Sequence, residues 1–242
     1  MMPKHPKSID WGGVALAFLA AGTICSCAKP TAQVGAKSAK PQAEISVQPP
    51  VVKVETISNV IAKKMNVAAG DHETARTDCA FSIIPELGFS IVDEKNDKDD
   101  RENGYHVWVE ITSCRLNLAL PVTSYISADA PKYVREHENG HVKICCRIYA
   151  DARSTATEAA KKAFEKRFEG IGKDRKLALS NALQFAGEEI GAYYRAKMAG
   201  EAEKVSSKYD QLCKSEDRRE KVDETIEDAF ASVQAENSTL QK

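Results

Sequence analysis

The chain has 242 residues, and its 34 Lys and Arg are balanced by 35 Asp and Glu, for a formal net charge of −1. That balance leaves no basic footprint for nucleic acid, so no nucleic-acid partner is expected. No repeat, phosphate-binding glycine loop or nucleophile elbow appears, and the length suffices for one domain with a real core.

At the N-terminus Lys4 and Lys7 precede an apolar run from Val14 to Ala21 and then the small residues of Gly22-Thr23-Ile24-Cys25-Ser26-Cys27. This is the order of a secretory signal, and the run is too short for a spanning helix. Ile24-Cys25-Ser26-Cys27 looks like a bacterial lipoprotein lipobox, which makes residues 1–27 a signal peptide and Cys27 the lipidated new N-terminus. Ala28 after the cysteine resembles lipoproteins sent to the outer membrane, so a lipid anchor facing the periplasm is expected. Residues 28–50 are mostly Ala, Lys, Gln and Pro and read as a disordered tether.

The folded domain is expected from Val51, with residues 51–125 rich in strands. Val51 to Ile57 is β-branched, Ala80 to Val92 holds two short apolar runs broken at Pro85 and Gly88, and Tyr105 to Leu120 is the longest strand signal. In that segment the apolar residues sit at odd positions through Ile111 and at even positions from Cys114, a change of face that a β-bulge near Ser113 produces. Asp93 to Asn103 reads as a solvated hairpin loop. Export would place Cys79, Cys114, Cys145, Cys146 and Cys213 in an oxidising space, with a Cys79–Cys114 bridge between neighbouring strands the expected pairing.

From Pro131 the chain turns to helical spacing, and two long helices at about 131–169 and 173–213, reversing at Gly170-Ile171-Gly172, form an antiparallel hairpin. The fold class is therefore α+β: a small antiparallel sheet followed by a long helical hairpin, with residues 218–242 a polar tail or frayed helix. The first helix carries His137-Glu138-Asn139-Gly140-His141, the H-E-x-x-H pattern. Residues four apart on a helix project from one face one turn apart, so His137 and His141 can hold one Zn²⁺. Val134, His137, His141, Ile144, Ile148 and Ala152 follow a single apolar stripe, which points both rings inward. Glu138, set roughly 100° round the helix, is placed to act as general base toward a metal-bound water. Gly140 implies close approach of another backbone or a substrate.

A catalytic zinc site needs a third protein ligand, and the chain has no histidine after His141. Reversal near residue 171 brings residues 201–217 beside the histidines, making Glu201, Glu203, Asp210 and Glu216 candidates. Glu165 and Glu169 would require the first helix to break early.

Leu120-Pro121, the His137–His141 motif and Tyr209-Asp210 together resemble a bacterial family of secreted zinc-dependent proteases with a zincin-like fold over about residues 51–217. In that family the Tyr-Asp pair is followed by a Thr-x-His-Gly-like segment able to supply the remaining ligand. Cys213-Lys214-Ser215-Glu216 stands in its place here, so Glu216 is the expected third ligand and Asp210 the next. The resemblance implies an envelope metallopeptidase acting on a peptide or protein substrate, with Tyr209 either an oxyanion donor or a packing residue. The rival expectation is a degenerate, non-catalytic lipoprotein that binds a partner or a cell-wall component.

Overall fold

Two stretches of chain run side by side in parallel and pass together from one sheet into another. Strand β1 (Gln42–Val47) lies along β5 (Tyr105–Ala119), and β2 (Val51–Ile57) lies along β6 (Pro121–Ser127). On their other edge β3 (Ala75–Cys79) pairs antiparallel with β6, and β4 (Ser82–Asn96) with β5. The first sheet has the order β1-β5-β4 with β7 (Arg167–Gly172) also on β5, and the second has the order β2-β6-β3. The crossing point is Leu120-Pro121, where the Leu120 and Pro121 carbonyls accept from the Val51 and Ala80 amides at 3.0 and 3.1 Å. The computed structural model describes residues 40–58, 75–97 and 99–239; the signal segment, Cys27 and the first part of the expected tether lie outside them.

The fold is α+β, but the sheets are mixed, correcting the expected antiparallel sheet. β1 also corrects the tether: Gln42–Val47 alternates, and Ile45 and Val47 pack against the core. A composition average over Ala, Lys and Pro hides this alternation, which becomes a strand once β5 supplies its ladder. The β5 bulge is present, since Gly88 faces Ser113 while Phe89 faces Ile111, leaving Thr112 extra. Val107, Val109 and Ile111 are buried before it and Cys114, Leu116 and Leu118 after it. The bulge also marks where one neighbour replaces another, because β7 pairs with Tyr105–Glu110 and β1 with Ser113–Leu118. Pro85 and Gly88 do not interrupt β4, an edge strand where proline is tolerated.

The expected hairpin is corrected on its first arm, which consists of α1 (Lys132–Tyr149), α2 (Ala152–Phe164) and then β7. The second arm, α3 (Arg175–Leu212), is a single 38-residue helix capped by Asp174, whose side chain accepts from the Leu177 amide at 2.9 Å. β7 buries Phe168, Gly170 and Gly172 in alternation. A Cβ on Gly170 would lie 1.9 Å from the Ala178 carbonyl oxygen, so α3 rests directly on the strand through Ala178 and Ala182.

The polar tail is likewise corrected. After the short α4 (Glu216–Arg219), α5 (Val222–Thr239) buries Ile226, Ala229, Phe230 and Val233. It is tied to α1 by Lys143–Asp223 at 2.6 Å, Arg147–Glu227 at 2.5 Å and the Arg147 guanidinium 4.0 Å above the Phe230 ring. These residues form a stripe one helical face wide, which a mostly polar composition conceals.

The disulfide joins Cys79 to Cys145, with Cα atoms 6.8 Å apart, in place of the expected Cys79–Cys114 bridge. Cys114 lies in the other sheet opposite Leu87, whereas Cys79 ends β3 on the face toward α1. Burial pushes the Cys114 thiol up to about 11, leaving it protonated and inert. Closing a loop of 66 residues stabilises the fold by about 4 kcal/mol through the unfolded chain. Thermal denaturation of the Cys79→Ser, Cys145→Ser double variant is expected to show a Tm lower by on the order of 10 °C.

Candidate metal centre

Helices α1 and α3 meet where one has glycine and the other a buried aromatic ring. A Cβ on Gly140 would lie 2.3 Å from Tyr209 Oη and 2.5 Å from Cζ, so no side chain fits at that position. The close approach expected at Gly140 is thus made by the Tyr209 side chain. The Tyr209 ring stacks on His137 at 5.0 Å and meets His141 edge-on at 5.3 Å, fixing both imidazoles. Tyr209 is fully buried, and its hydroxyl donates to the His137 carbonyl at 3.4 Å. That placement makes Tyr209 a packing residue and leaves no surface for an oxyanion.

The next residue of α3, Asp210, completes a three-atom cluster with the histidines. His137 Nε2 and His141 Nε2 are 3.2 Å apart, and Asp210 Oδ1 is 3.1 Å from the first and 3.0 Å from the second. Ligand atoms about 2.0–2.2 Å from a tetrahedral Zn²⁺ are separated by roughly 3.3–3.6 Å, slightly more than this triangle's edges. A cation about 1 Å above the triangle would lie about 2 Å from all three donors, so the set fits Zn²⁺ in size and chemistry. The side chains are 30%, 16% and 51% exposed for His137, His141 and Asp210, so the cluster opens to solvent on the Asp210 side. A fourth coordination position reachable by water is what separates catalytic from closed structural sites.

The electrostatics agree with that pairing. Burial lowers the pKa of His137, but hydrogen bonds to Asp210 and Cys213 outweigh it and raise the value to about 10. Burial opposes ionisation of Asp210, yet the two imidazoles hold its carboxyl well below the usual range. Burial, reinforced by Cys213, pushes the Tyr209 phenol far up and keeps it neutral.

Glu138 leaves the helix on a different side. It is 7% exposed, and Thr77 Oγ1 of β3 donates to its Oε2 at 2.6 Å. Thr77 Oγ1 is also 2.9 Å from Ser124 Oγ; since the single Thr77 proton goes to the carboxylate, Ser124 is the donor in that second bond. Neither Thr77 nor Ser124 is marked by the sequence, because the polar Ala75–Cys79 segment shows only a faint alternation.

Among the expected carboxylates, Asp210 is the one brought to the histidines. Glu216 opens α4, and its side chain lies outside the described residues. Glu201 and Glu203 are exposed on α3, Glu165 follows α2, and Glu169 on β7 binds His106 at 2.8 Å. Asp210, the next candidate after Glu216, is thus the expected carboxylate found beside the histidines among the described residues: a straight α3 presents residue 210 in its last turn, alongside the motif. Comparison with protein-family models, curated proteins and solved structures finds no match to this chain.

The Gly140→Ala variant is expected to lose about 1–3 kcal/mol of stability, the usual cost of overpacking, measured by chemical denaturation. The raised His137 pKa also has a sign: in the metal-free protein its ion pair contributes stability that is complete below the ordinary value of 6.5 and disappears as pH rises through about 10. Zn²⁺ must displace that proton, so uptake at pH 7 is expected to release about one proton from His137, measurable by calorimetry in buffers of different ionisation enthalpy.

Proposed function

We propose that this protein is a zinc metallopeptidase of the cell envelope, anchored by lipid on Cys27 and hydrolysing peptide bonds in a peptide or protein substrate. The observation that supports it most directly is the convergence of His137, His141 and Asp210 on one point, beside a glutamate held in place on the same helix turn. Zn²⁺ bound there supplies a Lewis acid that lowers the pKa of a coordinated water toward about 7.

The chain's own residues do the rest. His137 and His141 hold the ion as neutral ligands, each presenting Nε2, and Asp210 contributes the negative charge that offsets part of its +2. Glu138 accepts the proton of the attacking water on the carboxylate oxygen that Thr77 leaves free, then passes it to the leaving amine. The opening beside Asp210 is the side from which an extended substrate reaches the centre. The assignment of attachment to a lipid on Cys27 rests on the sequence Ile24-Cys25-Ser26-Cys27; no helix among the described residues is long and apolar enough to cross a membrane.

The protein spanning residues 28–242 is expected to contain one Zn²⁺ per chain by elemental analysis and to cleave fluorescein-labelled casein. Glu138→Gln should reduce turnover by at least about 100-fold while retaining zinc, whereas His141→Ala and Asp210→Ala should lose the metal. The full-length chain should sediment with membranes and its Cys27→Ser variant should not. Absence of stoichiometric zinc in the wild type would overturn the proposal in favour of a non-catalytic lipoprotein.

A further inference from the structure

Strand β3 presents alternate residues to α1, and each one meets a different partner. Ala75 joins the small cluster of Ile126, Ala130 and Val134, Thr77 binds the Glu138 carboxylate, and Cys79 is bonded to Cys145. Residues two apart on a strand are about 7 Å apart and residues four apart on a helix about 6 Å, so the step from Ala75 to Thr77 matches that from Val134 to Glu138. Beyond Thr77 the disulfide locks the strand down, while Arg76 and Asp78 pair with each other at 2.6 Å on the outer face. A five-residue edge strand carrying so little apolar surface is an unusual element to fix covalently to a helix.

From this register we infer that Thr77 is the positioning residue for Glu138, aimed by Ser124 and kept in reach by the Cys79–Cys145 bond. The inference rests on the peptidase function proposed above. Thr77 spends its proton on Oε2, which fixes the carboxylate plane and leaves Oε1 as the oxygen free to accept a proton. Without the hydroxyl, a carboxylate that is only 7% exposed loses the donor that offsets its burial, and it turns toward water.

Carbodiimide coupling to glycine ethyl ester, followed by peptide mapping, reads the accessibility of Glu138 directly and needs neither zinc nor activity. Relative to the wild type, Thr77→Val is expected to label at Glu138 about 10-fold faster, the change that losing a hydrogen bond to a charged group brings, and Thr77→Ser at the wild-type rate. Ser124→Ala, which keeps the hydroxyl but loses its aim, should fall between and serves if Thr77→Val fails to fold by circular dichroism. On labelled casein, Thr77→Val should lose about 10-fold in kcat at unchanged KM and zinc content, with Thr77→Ser restored. Wild-type labelling of Glu138 in both Thr77→Val and Ser124→Ala overturns the inference. If labelling changes as expected but the zinc-loaded wild type cleaves no casein, the peptidase proposal fails, and the catalytic part given to Thr77 fails with it.

Discussion

The contact between Gly140 and Tyr209 decides the geometry on which the rest of this site depends. With no side chain at position 140, the phenol ring lies against the backbone of α1, and the adjacent Asp210 projects toward the two imidazoles. A ring fully removed from water contributes about 1.5–3 kcal/mol through burial, with about 0.5–1.5 kcal/mol more for a well-placed aromatic contact. Those gains reward one helix crossing distance only. Donor atoms 3.0 to 3.2 Å apart are a consequence of that distance.

A 38-residue helix is about 57 Å long, so α3 carries a constraint from one part of the fold to another. Near its start it is seated on β7, where Gly170 admits the backbone of the helix at Ala178 and Ala182. Near its end it must deliver Asp210 to within bonding distance of α1. Ile190, Tyr194, Met198, Ala202, Val205 and Tyr209 keep one face buried throughout that length. α5 then packs across both helices, so the two elements that carry the candidate metal centre are braced by a segment whose composition looks like a tail.

What could be seen in the sequence and what could not follow from the range of the interactions involved. Local periodicity exposed the helix of the motif, the long second helix and the change of face in β5, because each is written within a dozen neighbouring residues. Reversal near residue 171 and a rise of 1.5 Å per residue were enough to list Asp210 among the candidate ligands. Placing Asp210 beside the histidines required knowing that Tyr209 is the residue that packs on Gly140, a contact between positions 69 apart in the sequence that no local pattern records. β1, β3 and β7 share one cause of concealment, since each is short and takes its strand character from the partner it pairs with. In β7 the inward positions are Phe, Gly and Gly, which read as a turn until α3 is seen lying on them. The Cys79–Cys145 bond was hidden for the same reason, as it depends on which face of an unrecognised strand looks toward α1.

The turn His137–His141 departs from an ordinary amphipathic helix at four of its five positions, and each departure is met by a residue outside the helix. The two imidazoles converge with Asp210, the buried carboxylate of Glu138 is met by Thr77, and the missing side chain at Gly140 is replaced by Tyr209. An ordinary scaffold gains nothing from this arrangement: burying a carboxylate costs several kcal/mol unless it is hydrogen-bonded, and glycine inside a helix costs about 1 kcal/mol relative to alanine. Local rules broken together, and compensated from two other elements, α3 and β3, are the pattern that function leaves on a fold. The two imidazoles and the Glu138 carboxylate lie on adjacent sides of one helical turn, with Asp210 brought to them from α3, and the proposed cation with a base beside it would use all four.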